Sequence, residues 1–253
     1  MRALAVAAFA LAVTGAAAAE AAEIDAMIST AIKAATDEIL PGFERASGHA
    51  IRASYGPSGA LIPRFERGEP ADVFLTDATA IDGLIAQGKI VPGRTDYART
   101  GIGLCVRTGA AKPDVATPAA LKRALLAAKS VAYVAPSAGS ITGPHIESVF
   151  RQLGIADEMR PKTKFAAGGP NGRVSVLVSS GEAELGLQQV SELMSNPDVE
   201  VIGLLPAELQ LMTVYSAGIT TTARQAGAAR ELIAALRTPA AAAIFKSKGL
   251  ELQ

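Results

Sequence analysis

Residues 52–77, RASYGPSGALIPRFERGEPADVFLTD, carry the pattern that predicts the fold. An apolar strand runs into the turn Gly-Pro-Ser-Gly at residues 56–59, an amphipathic helix follows, and a second apolar strand covers residues 71–75. Ser58 lies where strand gives way to helix, a position at which a hydroxyl meets unpaired backbone N–H groups. Those N–H groups and the positive helix end predict an anion site, although a serine there also suits a plain helix cap.

The same order of strand, small-residue turn and helix recurs along the whole chain. Further strands are predicted by apolar, β-prone runs at residues 23–28, 49–55, 101–107, 130–134, 164–167, 185–188, 199–203 and 212–219. Helical periodicity separates most of them, and residues 222–248 read as two helices. The alternation predicts an α/β fold with mainly parallel sheets, whose ligands bind outside the carboxyl ends of the strands.

The length of the chain favours two α/β lobes rather than one. The runs at residues 101–107 and 212–219 are the best candidates to cross between them. We therefore predict a first lobe of residues 23–103, completed by residues 214–253, and a second lobe of residues 104–213.

Residues 1–22 have the composition of a secretory signal peptide. Arg2 precedes an apolar run at residues 3–13, and small residues then offer a cleavage site after Ala19 or Ala22. The run is shorter than the roughly 20 residues of a transmembrane helix. We therefore expect an exported protein.

The composition argues against several classes of partner. Lys plus Arg and Asp plus Glu both total 24, so no net field attracts nucleic acid or an acidic membrane. Trp is absent and aromatic residues make up 4%, which argues against stacking platforms for bases or sugars. Cys105 is the single cysteine, so an intramolecular disulfide is excluded.

Four strand-to-helix junctions share small and polar residues, at residues 29–31, 56–59, 140–143 and 169–172. No lysine lies in them, which suits recognition by hydroxyls, amides and helix N-termini rather than by formal charge. Ordinary helix capping explains any one junction, but four together favour a common site. The candidate ligand-binding residues from these junctions are Ser29, Thr30, Ser58, Gly59, Ser140, Thr142 and Asn171.

Catalytic and metal-binding patterns are missing from the sequence. His49 and His145 stand alone, with neither a second histidine nor a cysteine at metal-ligand spacing. No G-x-S-x-G elbow or phosphate-binding P-loop occurs. We therefore expect no enzyme activity, no cofactor and no resident metal ion.

Four segments resemble the periplasmic molybdate-binding protein family. The run GEPADVFL at residues 68–75, preceded by YGPSG at residues 55–59, looks like the family's G-x-P-A-D-[VL]-F segment. Residues 181–186 and 239–249 are also similar. The resemblance implies a type II periplasmic binding fold, with two lobes, two hinge-crossing strands and an oxyanion in the cleft. It also implies a periplasmic, monomeric protein that delivers a small anion to an inner-membrane ABC permease.

The family's site residues carry over with two departures. Ser58 matches a serine that holds the oxyanion, and Thr142 and Asn171 fall where the family offers backbone N–H groups. The family's first serine aligns with Ala31, which leaves Ser29 or Thr30 to supply a hydroxyl. Its cleft tyrosine is replaced by Gln189, with Gln188 beside it.

The sequence therefore predicts a solute-binding protein for a small anion, a molybdate- or tungstate-like oxyanion by resemblance. The amide of Gln189 in place of a phenol also suits a carboxylate or another polar ligand. Two alternatives stay open, a sensor that presents its ligand to a receptor and, less favoured, an exported enzyme.

Overall fold

The computed structural model describes residues 21–168 and 173–252. The strands in chain order are β1 (Glu23–Ser29), β2 (Ala50–Gly56), β3 (Val73–Asp77), β4 (Thr95–Thr100), β5 (Ile102–Arg107), β6 (Val131–Val134), β7 (Thr163–Ala166), β8 (Leu185–Gln189), β9 (Val199–Leu204), β10 (Thr213–Ile219) and β11 (Glu251–Leu252). Most of the predicted signal peptide, residues 1–20, lies outside the described residues.

The α-helices are α1 (Lys33–Ser47), α2 (Ser58–Glu66), α3 (Ala78–Ala86), α4 (Pro118–Ala127), α5 (Thr142–Gln152), α6 (Ala156–Met159), α7 (Val174–Ser180), α8 (Val190–Leu193), α9 (Ala226–Ala235) and α10 (Pro239–Ser247). Short 3₁₀ helices lie at Thr30–Ile32, Pro136–Ala138, Arg160–Lys162 and Ala207–Leu209. Among the described residues, no helix combines the length and the apolar character needed to cross a bilayer.

The strands form two separate sheets, each covered by helices. The first has the order β11-β4-β10-β3-β1-β2, and the second has the order β7-β6-β8-β5-β9. We call the first sheet with its helices the first lobe, and the second sheet with its helices the second lobe. The chain passes between the sheets at Gly101 and again between β9 and β10. The lobe boundaries at residues 103/104 and 213/214 stay predictions.

Both sheets are mixed rather than mainly parallel. The pairs β1–β2, β1–β3, β6–β7 and β6–β8 are parallel, as βα units require. The strands that arrive from the other lobe run against their neighbours, since β10 is antiparallel to β3 and β5 to β8. Such a strand enters its new sheet at the hinge, where the parallel strands end, and can only run away from that edge.

Alternating side chains bury both faces of each sheet. In β3, Val73 and Leu75 pack into the cluster that includes α1, α9 and α10. Phe74 between them packs with residues of α2 and α3 on the opposite face. In β6, Tyr133 packs with the cluster that includes α4 and α5, whereas Val134 packs with α7. This period of two fixes the register of each central strand and therefore the positions of the strand ends.

The aspartate of the GEPADVFL segment has a structural role. Asp72 is 2% exposed, and its carboxylate accepts hydrogen bonds from the backbone N–H groups of Asp25 (2.9 Å), Arg224 (2.6 Å) and Gln225 (3.0 Å). These groups belong to β1 and to the segment before α9. Asp72 therefore ties the C-terminal part of the chain to the first sheet and does not contact the site described below.

We predict that Asp72→Ala lowers the free energy of unfolding by about 3 kcal/mol or more, because one buried and two partly buried N–H groups lose a charged acceptor. Urea unfolding followed by circular dichroism measures this loss. Asp82→Ala is the control, since Asp82 is an exposed residue that pairs with Arg94 and should cost less than about 1 kcal/mol. Equal losses in the two variants would contradict the assigned role.

Candidate functional site

Hydroxyl groups of the first lobe meet at the carboxyl ends of β1, β2 and β3. Ser29 ends β1, Thr30 begins the 3₁₀ helix, and Ser58 is the first residue of α2. Thr76 Oγ1 donates to Ser58 Oγ at 2.7 Å, and Ser58 Oγ donates to Ser29 Oγ at 3.4 Å. Pro57, not Ser58, occupies the N-cap position of α2. The Ser58 hydroxyl is therefore not used as a helix cap and its proton can turn to a ligand.

The second lobe contributes the loop between β6 and α5. Ser140 Oγ lies 2.8 Å from Thr142 Oγ1 and accepts a hydrogen bond from the Thr142 N–H at 3.2 Å. A Cβ atom on Gly143 would lie 2.4 Å from the Val134 carbonyl oxygen, so only glycine lets α5 start this close to β6. Ser140 thereby faces the space between the lobes, while Thr142 lies behind it, 1% exposed.

Two buried amides follow each other at the end of β8. Gln188 Oε1 accepts a hydrogen bond from the Val174 N–H at the start of α7, at 3.3 Å. Gln189 Nε2 donates to Thr213 Oγ1 at 3.1 Å, and the Tyr215 hydroxyl donates to Gln189 Oε1 at 2.7 Å. Thr213 and Tyr215 belong to β10 of the first lobe. Gln189 therefore links the two lobes at the hinge, and one N–H group and one lone pair of its amide remain for a ligand.

One carboxyl group, that of Glu192, lies in the same space. Glu192 is 8% exposed and belongs to α8, the short helix that begins directly after Gln189. Burial raises the pKa of Glu192 to about 7, and this outweighs hydrogen bonds from Gln188 and Thr30 and the charge of Arg173, which lower it. The Arg173 guanidinium donates to Ser195 Oγ at 2.7 Å. Glu192 is therefore a buried acid that readily gains or loses a proton near neutral pH.

These groups line one cavity between the lobes. It is a small cavity, with a volume of about 20 Å³, and it opens to solvent at its mouth. The described residues that line it are Ser29, Thr30, Ala31, Pro57, Ser58, Val134, Ser140, Ile141, Gly168, Gln188, Gln189, Glu192 and Tyr215. None of them is Lys or Arg, so any anion there is held by dipoles and hydrogen bonds.

Most of the candidate residues from the sequence lie at this cavity. Ser29, Thr30, Ser58, Ser140 and Gln189 line it, whereas Thr142 is behind Ser140. Asn171 lies outside the described residues. Their role in binding a ligand stays a prediction.

Glu192, Tyr215 and Gln188 also line the cavity, but the sequence analysis did not include them among the site residues. Gln188 precedes Gln189, which was identified as the replacement of the family's cleft tyrosine, and Glu192 follows three residues later. Tyr215 has no comparable signal, because it reaches the cavity from a hinge strand far along the chain.

Gly59 forms a direct contact between the lobes. Its N–H donates to the Gly139 carbonyl oxygen at 2.9 Å, so it is not available to a ligand in this arrangement. A Cβ atom on Gly59 would lie 2.8 Å from that oxygen, and one on Gly139 would lie 2.9 Å from the Ala60 nitrogen. Gly139 also has a φ of 76°, which favours glycine. Two glycines therefore allow the backbones of the two lobes to touch next to Ser58 and Ser140, which line the cavity.

Within the described ranges, residues 21–168 and 173–252, no group of three or more His, Cys, Asp or Glu side chains is placed to hold a metal ion. Cys105 is buried in β5, and burial raises the pKa of its thiol to about 12. The thiol is therefore protonated and unreactive at neutral pH.

The family model described as bacterial extracellular solute-binding protein matches residues 24–251. This chain belongs to that family. The solute-binding protein is 34% identical to aconitate isomerase from Pseudomonas sp over 221 residues, which are 85% of this chain and 82% of the relative. It is 28% identical to the molybdate-binding protein ModA of Azotobacter vinelandii over 242 residues, 93% and 92% of the two chains.

The fold of this solute-binding protein matches that of solved periplasmic binding proteins. The Azotobacter vinelandii periplasmic molybdate-binding protein superposes with a TM-score of 0.74 at 23% identity, covering 91% of this chain and 99% of the other. The resemblance to the molybdate-binding family and the two-lobed α/β fold are thus confirmed. The identity of the ligand does not follow from the fold.

We predict that Gly59→Ala weakens ligand binding without unfolding the protein. The added methyl group overpacks the closed contact by about 1–3 kcal/mol, which lowers the affinity about five- to a hundredfold. Calorimetric titration with the anion that stabilises the wild type most measures the effect. Gly83→Ala in α3 is the matched control, since nothing lies within 4 Å of its added Cβ, and it should bind normally. Unchanged affinity in Gly59→Ala would show that this contact is not part of closure.

Proposed function

We propose that this protein closes its two lobes around one small carboxylate anion and delivers it to a membrane permease of an ABC-type importer. The observation that carries the proposal is the meeting of hydroxyls from both lobes, Ser29 and Ser58 from one and Ser140 from the other, at one buried cavity. Ligand binding then stabilises the closed state, because only that state offers both sets of groups.

An anion can be held in this cavity without a cationic side chain. Ser58 stands in the first turn of α2, and Ser140 and Ile141 precede α5, so the positive ends of two helices point toward the ligand. Hydroxyl donors then compensate for the water that a carboxylate loses on burial. Their geometry favours ligands with several oxygen atoms.

The carboxyl group of Glu192 favours a carboxylate ligand over a compact metal oxyanion. An ionised glutamate repels any anion placed against it, and a tetrahedral dianion is charged on all sides. An extended carboxylate can place its oxygens at the hydroxyls and keep an uncharged carbon against Glu192. In the closed cavity one carboxylate group fills the centre, and the rest of the ligand extends toward the mouth.

The relatives support both ligand classes, since one is named for aconitate and another for molybdate. The replacement of the family's tyrosine by Gln189 separates this chain from the molybdate pattern. An oxyanion such as molybdate or tungstate is therefore the alternative ligand.

A second candidate function is isomerisation of a small unsaturated carboxylate. The observation that favours it is a buried carboxyl group, that of Glu192, inside a cavity that can close over a ligand. The 34% identical relative is itself named aconitate isomerase. Binding proteins and such an enzyme share the first step, which is closure around the carboxylate.

We further propose that the protein works in the periplasm as a monomer, with residues 1–22 removed as a signal peptide. Presentation of the ligand to a membrane sensor is the alternative to transport. Permease genes next to the gene of this protein would favour transport.

The ligand class is tested by a thermal-shift screen of the purified mature protein with citrate, trans-aconitate, molybdate, tungstate and sulfate. A ligand at 100 times its dissociation constant adds about 2.7 kcal/mol to the free energy of unfolding, which gives a measurable shift. We expect the largest shift from a carboxylate. A shift from molybdate or tungstate alone would replace the carboxylate proposal by the oxyanion alternative.

We predict that Ser58→Ala lowers the affinity for that ligand about ten- to a hundredfold, because one hydrogen bond to a charged group is worth about 1.5–3 kcal/mol. Calorimetric titration of wild type and variant measures the change. Ser247→Ala removes a hydroxyl from the far end of α10 and should bind like the wild type. If Ser58→Ala lowers the melting temperature and leaves the affinity unchanged, Ser58 is only a structural residue.

A further inference from the structure

We propose that Glu192 transfers a proton on and off a carbon atom of the bound carboxylate, so that the closed cavity catalyses a proton shift within its ligand. The inference rests on the proposed binding of a carboxylate and on the isomerase candidate. It assigns the step to a residue in the short helix α8, which the sequence motifs did not mark.

The position of Glu192 makes it the acid–base group of this cavity. Among the described residues that line the cavity, Glu192 alone carries a carboxyl group, and Tyr215 is the other titratable residue. The Tyr215 hydroxyl donates to Gln189 Oε1 at 2.7 Å, and burial keeps its pKa well above the ordinary value. Tyr215 therefore stays protonated, and its proton is held in the hydrogen bond to Gln189. Glu192 is the group that can exchange a proton with a ligand.

The surroundings of Glu192 suit a base that works near neutral pH. Thr30 faces it from the 3₁₀ helix, Gln188 from β8 and Tyr215 from β10, and the charge of Arg173 acts from the start of α7. Desolvation by these elements brings the pKa of Glu192 to about 7. A general base is most effective when its pKa lies near the working pH, because it is then both ionised and strong enough to accept a proton.

The proton shift balances without an oxidant or a second reactant. In a carboxylate with a C=C bond beside a CH₂ group, the ionised Glu192 takes a proton from the CH₂ carbon. The electron pair of the broken C–H bond spreads over the allylic carbons and the adjacent carboxylate. Glu192 then delivers a proton, either the one it took or one exchanged with solvent in the meantime, to the other end of this system, and the double bond moves by one position. Rotation before the proton returns converts one geometric isomer into the other.

The rest of the cavity stabilises the negative charge that this step creates. Hydroxyl donors of Ser29, Ser58 and Ser140 face the same space, and α2 begins at it. Such donors, fixed before the reaction, are most effective where water is excluded. The contact between Gly59 and Gly139 brings the two lobes together next to Ser58 and Ser140. The chain thus supplies a base and stabilising donors in one cavity.

The test uses the mature protein and trans-aconitate in D₂O, followed by proton nuclear magnetic resonance. We expect the wild type to replace the C–H protons of the CH₂ carbon by deuterium and to form cis-aconitate. In Glu192→Gln both rates should fall at least about a hundredfold, the usual contribution of a general base. The wild-type rate should rise with pH to a plateau above about pH 7. The exposed-site variant Glu158→Gln should exchange at the wild-type rate.

Calorimetric titration of trans-aconitate, run beside the exchange assay, tests binding of the carboxylate separately from proton transfer by Glu192. Glu192→Gln should still bind trans-aconitate, because the amide keeps the shape of the side chain and removes a negative charge. Binding by the wild type with neither cis-aconitate formation nor deuterium exchange, or equal rates of isomerisation in wild type and Glu192→Gln, would overturn the assigned proton transfer and leave the binding function intact. Absence of binding by the wild type to trans-aconitate and citrate would overturn the carboxylate proposal and this inference with it.

Discussion

The close approach of two glycine backbones brings the two lobes into contact beside the cavity between them. The Gly59 N–H meets the Gly139 carbonyl at 2.9 Å, and a methyl group on either residue would collide with the opposite backbone. With the lobes in contact at this point, hydroxyls from both lobes face one small space. Burial strengthens the hydrogen bonds in this space, so uncharged donors suffice to hold an anion once water is excluded. The same burial keeps the carboxyl group of Glu192 close to its point of ionisation.

Much of the fold was predictable because strand and helix periodicities record which side chains are buried. The apolar runs at residues 52–77 gave β3, α2 and the turn between β2 and α2, and the GEPADVFL segment pointed to the correct family. The directions of β5 and β10 were not predictable from periodicity. They depend on the edge at which the chain enters a sheet after crossing the hinge, and local sequence does not contain that information.

Site residues that directly follow a strand end were predictable from the sequence. Site residues that reach the cavity through packing across the hinge were not. Ser29, Ser58 and Ser140 lie at junctions between strands and helices, so the βα pattern predicts that they share an edge. Tyr215 is placed by the hydrogen bond to Gln189 across the hinge. Glu192 resembles an ordinary surface residue of a short helix, and only the packing of α8 against the first lobe shows its burial.

The measurement that tests the account most directly is a crystal structure of the protein with the anion that gives the largest thermal shift. We expect one molecule in the cavity, with an oxygen atom within about 3.2 Å of Ser58 Oγ and another at the same distance from Ser140 or Gln188 of the second lobe. An anion that contacts one lobe only, or that occupies another surface groove, would contradict the claim that the two lobes close around the ligand.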